Sequence, residues 1–279
     1  MPKIVAEWDT FLKKRLLSSQ DLADSEKILV PKGKEFYVTK MAPDRNQHLY
    51  LVLASPVLAK DGKTKLQQVY AYDPHVKIAE TQPVLKLSVP YRSQVDNDPS
   101  LYGSGQRQCN LTSNTMLADY LLKGALTKYA KDKGYPEPES VYMRLAYKYG
   151  DTVDHAAHTK ALKELGIESY FSYTLSAKDL LTSLSKGIPV VVGFRYRSSG
   201  HICVLVGHDP IKRNWLIHDP YGVRYGASDD YEIGAYGAYD PYSYAVFQQL
   251  FLDQGNAESG WGRIVTSVRG TPTGLPTGL

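Results

Sequence analysis

Two cysteines, Cys109 and Cys203, are the only thiols of this 279-residue chain, and they sit in different surroundings. Cys109 lies in Gly105-Gln-Arg-Gln-Cys-Asn-Leu-Thr-Ser113, where a polar, glycine-bearing loop over 92–108 meets a periodic apolar segment. Thr112, Met116, Leu117, Tyr120 and Leu121 recur at the spacing of one buried helical stripe, which puts Cys109 in the first turn. Unpaired amide N–H groups at that end of a helix favour a thiolate and can also donate to the oxyanion of a tetrahedral intermediate. The competing reading of Cys109 is a small buried hydrophobe. Cys203 falls in the apolar strand Ile202-Cys-Val-Leu-Val206, where burial disfavours its thiolate.

A nucleophilic thiol needs a base. Ser199-Gly-His-Ile-Cys-Val-Leu-Val-Gly207 opens a strand with His201, and Trp215-Leu-Ile-His-Asp-Pro-Tyr-Gly222 closes the next one with Asp219. In an antiparallel hairpin the start of one strand lies beside the end of the next, so His201 and Asp219 become neighbours. An imidazole held by a carboxylate keeps the tautomer that can take a proton from a thiol. Taken singly, His201 reads as a structural strand-end histidine and Asp219 as a turn former before Pro220. The combination with Cys109 favours chemistry.

No metal and no other cofactor is expected. His155-Ala-Ala-His158 and the set His201, Cys203 and His208 match no zinc spacing of three or four ligands. On a strand His201 and Cys203 share a face, while His208 falls in a turn after Gly207. Gly103-Ser-Gly105 lacks the Lys-Ser/Thr ending of a phosphate-cradling loop.

The run Val89-Pro-Tyr-Arg-Ser-Gln-Val-Asp-Asn97, then Cys109-Asn-Leu-Thr-Ser113, Gly200-His201 and Ile217-His-Asp-Pro-Tyr-Gly222, resembles the papain-like cysteine peptidases related to the double-glycine leader peptidases. The resemblance covers about residues 84–265 and includes the interval of 18 residues between His201 and Asp219. It implies Cys109 as nucleophile, His201 as general base, Asp219 as the orienting acid and Gln94 as the oxyanion-hole glutamine. Gln106 and Gln108, nearer in sequence, are the alternatives to Gln94.

The elements that must hold these residues divide the chain in two. Phe36–Lys40, His48–Ala54, Gln67–Tyr72 and His75–Ile78 are short, β-branched and aromatic, with turn residues at Pro31-Lys-Gly33, Pro43-Asp44, Asp61-Gly62 and Asp73-Pro74, the pattern of a small β-barrel. With Asp9-Thr-Phe-Leu-Lys-Lys14, Asp24–Gly33 and Tyr70–Val76, this region resembles the SH3-like wall-binding modules of peptidoglycan hydrolases. The boundary falls between Ile78 and Val84, giving an SH3-like domain over 1–82, a papain-like domain over 83–270 and a flexible tail over 271–279. In the second domain helices are expected from Cys109, over Glu137–Tyr149, Asp154–Leu165 and Ser176–Leu184, then strands over Ile188–Tyr196, His201–Gly207 and Trp215–His218. That order reads as α+β. Residues 223–247, rich in Tyr, Gly and Asp, read as a long loop.

Composition fits a globular protein, with 43% hydrophobic and 22% charged residues. Two cysteines cannot build a disulfide framework. A formal charge of +4 without a dense basic stripe does not point to nucleic acid. No apolar run reaches membrane-spanning length, and the N-terminus lacks the pattern of a secretory signal. The expectation is a cysteine peptidase cleaving amide bonds of bacterial peptidoglycan, made in the cytoplasm and reaching the wall as a phage endolysin, through a holin, or as a virion-associated lysin. A non-catalytic phage structural or wall-binding protein and a leader-peptide processing protease are the alternatives.

Overall fold

The computed structural model describes residues 2–79, 84–210 and 212–269. The chain forms two compact units, Met1–Pro83 and Val84–Leu279. The tail expected over 271–279 lies outside the described residues.

The first unit is one antiparallel sheet of β1 (Lys3–Ala6), β2 (Thr10–Lys13), β3 (Lys27–Val30), β4 (Glu35–Asp44), β5 (His48–Leu58), β6 (Lys65–Tyr72) and β7 (Val76–Ala79), ordered β3-β2-β6-β5-β4-β1-β7. Period-two alternation builds its core: in β5, Leu49, Leu51 and Leu53 point inward while Tyr50 and Val52 are half-buried. Three of these strands, β1, β2 and β3, each four residues long, are not among the segments read as strands from the sequence. Pro43 and Asp44, expected in a turn, end β4 instead. The reversal is made by Arg45 to Gln47, with Asn46 and Gln47 left-handed at φ 58° and 55°.

The second unit is α+β. Its elements are β8 (Leu85–Lys86), α1 (Cys109–Leu121), α2 (Ala125–Lys133), α3 (Pro138–Tyr147), α4 (His155–Glu164), β9 (Ile167–Leu175), α5 (Ala177–Ser185), β10 (Val190–Phe194), β11 (His201–Asp209), β12 (Asn214–His218), β13 (Gly222–Arg224), β14 (Tyr231–Ile233), β15 (Asp240–Ser243), α6 (Tyr244–Phe251) and β16 (Gly260–Val268). The central antiparallel sheet runs β15-β12-β11-β10-β16-β9, with β8 added to β11. Ile202, Val204 and Val206 of β11 join the core built with α1 and α3, while Cys203 and Leu205 face α5 and α6. Both faces are covered, which is why β10 reads Val-Val-Val-Gly-Phe without alternation and is buried throughout.

Several expectations change. The elements α2, β9, α6 and β16 were not read from the sequence, and strands do not simply follow helices, since β9 precedes α5 and pairs with β16. The segment 223–247, read as loop, holds β14, β15 and the start of α6. His208 lies within β11, not in a turn after Gly207. In α1 the burial is not a stripe: Asn110 through Asp119 are all buried, and Tyr120 and Leu121 only partly. A helix surrounded on all sides can hold polar residues only if they are satisfied locally. Accordingly Thr112, Asn114 and Thr115 donate to the carbonyls four residues back, and Ser113 Oγ donates to the Ile202 carbonyl of β11.

Candidate active site

Cys109 is the first residue of α1 and half-buried. Gln108, its N-cap, makes no side-chain capping bond to the first-turn amides. The loop ahead of it is pinned by close approach. Gly105 tolerates no side chain, because a Cβ there would stand 2.1 Å from the Gln94 carbonyl oxygen.

His201 opens β11 and Asp219 follows β12. The pairing Val204↔His218, extended by one residue, sets Cys203 opposite Asp219, with His201 two residues further along the same face of β11. The carboxylate reaches diagonally to His201, whose Nε2 donates to Asp219 Oδ1 at 2.7 Å. Oδ1 also accepts from the Tyr221 N–H at 3.0 Å, and Oδ2 accepts from the Tyr231 and Tyr242 hydroxyls, each at 3.0 Å. A wholly buried carboxylate is thus held by four donors, which replace the water it has lost. Burial works to raise the Asp219 pKa, but the facing His201 and these hydrogen bonds prevail and hold it below the usual carboxylate range. Burial likewise works against charge on His201, and the Asp219 carboxylate outweighs it, lifting the imidazole well above the ordinary histidine range.

One cleft of about 330 Å³ is lined by both Cys109 and His201. Its far wall is aromatic. His155 stacks on Phe171 at 3.5 Å between ring centroids, with Trp261 edge-on to both. Gly200, left-handed at φ 78°, turns the chain into His201 and lets the Trp261 ring pass where a Cβ would stand only 2.8 Å away. Beneath the wall the buried Arg263 guanidinium donates to the Thr159 and Ser169 hydroxyls and the His155 carbonyl, tying α4 to β9 and β16.

The other histidines are arranged differently. His155 also lines the cleft, but burial, then the Arg263 charge, push it down to about 4. It stays neutral at working pH. His158 is pushed down to about 3 by burial and is bonded through both ring nitrogens, to Tyr142 and the Thr152 carbonyl. His218, next to Asp219, donates to the Val89 carbonyl and accepts from the Tyr239 N–H, a neutral bridge between segments. His208 meets the Tyr244 hydroxyl, far along β11 from His201.

The three glutamines also separate. Gln108 is buried and its amide is used at both ends, accepting from Asn97 and donating to the Asp98 and Gly103 carbonyls. Gln106 is exposed on the cleft. Gln94 is buried and lines the cleft, with its amide nitrogen donating to the Gly105 and Gln106 carbonyls at 3.0 Å each, while its Oε1 has no hydrogen-bond partner among the described residues.

Cys203 is the thiol the sequence undervalued. Its sulfur, a His201 ring nitrogen and an Asp219 oxygen lie within 4.8 Å of one another, a grouping with the residue types of a metal site. Both Asp219 oxygens are already taken by hydrogen bonds, and Cys203 is fully buried, so that burial drives its thiol upward. The hydroxyls of Tyr231 and Tyr242 were missed as well. Their only sequence signal is the tyrosine-rich stretch after Asp219, which carries no spacing that names a partner.

Residues 86–248 match the family described as Peptidase_C39 like, a span of more than half the chain that includes Cys109, His201 and Asp219. No curated protein matches the chain.

Proposed function

Because the chain belongs to the Peptidase_C39 like family, a family of cysteine peptidases, we propose that Cys109 is its nucleophile, His201 the proton carrier, and bacterial peptidoglycan its substrate. The observation that carries the catalytic part is that Cys109 and His201 line one cleft while His201 is bonded to a buried Asp219. Cys203 also stands beside the pair but is sealed in the core, where no peptide can reach it. With Nε2 committed to Asp219, Nδ1 is the ring nitrogen left for exchange with the Cys109 thiol. Thiolate attack on the scissile carbonyl forms a tetrahedral oxyanion beside the first-turn amides of α1. Gln94 joins them by giving up its bond to the Gln106 carbonyl. The imidazolium then protonates the leaving amine, and water, deprotonated by the same ring, releases the acyl group from sulfur.

The wall enters through the first unit, whose sequence resembles SH3-like wall-binding modules and which has a hydrophobic core of its own. A phage endolysin or a virion-associated lysin is the setting this combination suits. The test is digestion of purified bacterial walls by the full chain, beside a chain lacking residues 1–83. The full chain is expected to pellet with walls and release free amines from them. The shortened chain keeps its rate on soluble wall peptides and loses about tenfold or more on intact walls, because tethering raises local substrate concentration. Failure of the full chain to cut or bind walls, with cleavage of a leader peptide instead, overturns the wall reading and leaves the peptidase standing. Wall binding without any cleavage favours a non-catalytic role.

A further inference from the structure

The charges around the cleft are unbalanced. Among its described lining residues there are two arginines, Arg107 and Arg197, and no carboxylate. Arg107 is already matched, with Nη2 donating to both oxygens of Asp151 at 3.0 and 2.9 Å. Arg197 has no carboxylate ion-pair partner among the described residues. Asp229, which bonds to its backbone, gives one oxygen to the Arg224 guanidinium at 3.2 Å and the other to the Arg197 main-chain N–H at 3.2 Å. That second bond fixes the backbone of Arg197 and leaves its guanidinium unmatched.

Arg197 is also held in place. It sits in the β10–β11 connection, four residues before His201, with φ at +46°, a left-handed conformation uncommon for a long side chain. Its guanidinium lies over the Tyr196 ring, 5.1 Å from the centroid, and Tyr196 itself packs on His201 at 5.9 Å. An exposed planar fork of donors over an aromatic ring, lining a cleft whose described lining residues include no carboxylate, is suited to receive a planar anion.

We propose that Arg197 is a specificity-determining residue, whose guanidinium receives a carboxylate of the peptide substrate close to the scissile bond. This rests on Cys109 being the nucleophile of that cleft. The site therefore prefers acidic peptides, a class that includes the carboxylate-bearing stem peptides of cell walls.

The test needs no knowledge of the substrate. Cys109 of the full chain is alkylated by iodoacetate, an anion, and by iodoacetamide, its neutral counterpart, and the two rates are followed by mass spectrometry of the Cys109 peptide. Glutathione supplies the intrinsic rate ratio of the two reagents. Wild type is expected to favour iodoacetate over the glutathione ratio by about tenfold at low salt, an advantage that shrinks as salt screens it. Arg197→Gln removes most of that advantage, Arg197→Glu reverses it, and Arg197→Lys keeps part of it. Iodoacetamide rates stay within about twofold throughout, and Arg107→Gln, which neutralises a matched cation, changes the ratio by less than Arg197→Gln. Equal ratios in wild type, Arg197→Gln and Arg197→Glu overturn the inference while leaving Cys109 as nucleophile. A Cys109 that neither reagent modifies overturns the nucleophile, and this inference with it.

Discussion

Cys109→Ala is expected to lower hydrolysis by on the order of 10⁴-fold or more while leaving the fold intact. The thiol is the only atom of that residue that can form the acyl intermediate, and without it the amides of α1 and the His201–Asp219 pair have no partner to act on. The fold should survive because Cys109 is a half-buried first-turn residue and alanine suits a helix. Thermal unfolding should move by no more than a few degrees. Cys203→Ala is the informative contrast, since it removes a wholly buried sulfur beside the same histidine. It should keep turnover within about tenfold and cost about 1–2 kcal/mol of stability by leaving a small cavity. Rates on soluble wall peptides, with calorimetry on both variants, check this. More than a percent of wild-type activity in Cys109→Ala is incompatible with the mechanism.

The second large effect is expected at Asp219. Asp219→Ala strands four donors at once, the His201 ring, the Tyr221 N–H and the hydroxyls of Tyr231 and Tyr242. Breaking a buried, hydrogen-bonded charge pair costs about 3–5 kcal/mol. Asp219→Asn is gentler in shape but removes the negative charge. His201 then loses what lifts its pKa while its burial remains, so its ionisation moves to lower pH. The alkaline limb of the pH–rate profile should shift to lower pH with it. The stability linkage has two edges. The depressed Asp219 pKa contributes stability above about pH 4 that is lost as pH falls through its folded value. The raised His201 pKa contributes stability below about pH 6.5 that is lost as pH climbs through its folded value. Wild type should therefore exceed Asp219→Ala in stability most between about pH 4 and 6.5, and chemical denaturation across pH measures it. A constant difference from pH 3 to pH 9 would mean that the pair is not charged as described.

What could be read in the sequence and what could not divides along the length scale of the interaction. The N-terminal turn of α1 was legible because a polar glycine loop meets a periodic apolar segment, a change visible within a dozen residues. The meeting of His201 and Asp219 was legible because antiparallel pairing of adjacent strands is arithmetic. The same arithmetic carried further sets Cys203 against Asp219, a consequence hidden until the register Val204↔His218 was known. The strands β9 and β16 were illegible because they pair with each other across some ninety residues, as in Arg263↔Phe171. Gly260 and Gly262, moreover, look like strand breakers. In the fold they are the places where the Phe251 ring and the Val191 backbone come too close for any side chain. Tyr231 and Tyr242 reach Asp219 from strands of three and four residues, too short for alternation to mark them, so only the folded chain identifies them as its hydrogen-bond donors. The buried polar face of α1 defeated the periodicity argument for a related reason, since its polar groups bond to their own helix, as Asn114 does, or to distant segments, as Ser113 does to the Ile202 carbonyl and Asn110 to the Thr152 carbonyl.

The most direct measurement is a time course of inactivation by iodoacetamide near neutral pH, with residual hydrolysis and the extent of modification at each cysteine followed in the same samples. The mechanism predicts that activity falls in step with one equivalent of label on Cys109, that Cys203 stays unmodified until the protein unfolds, and that His201→Ala slows labelling of Cys109 by at least about tenfold. Full activity after complete modification of Cys109, or a loss of activity that tracks Cys203, would contradict it.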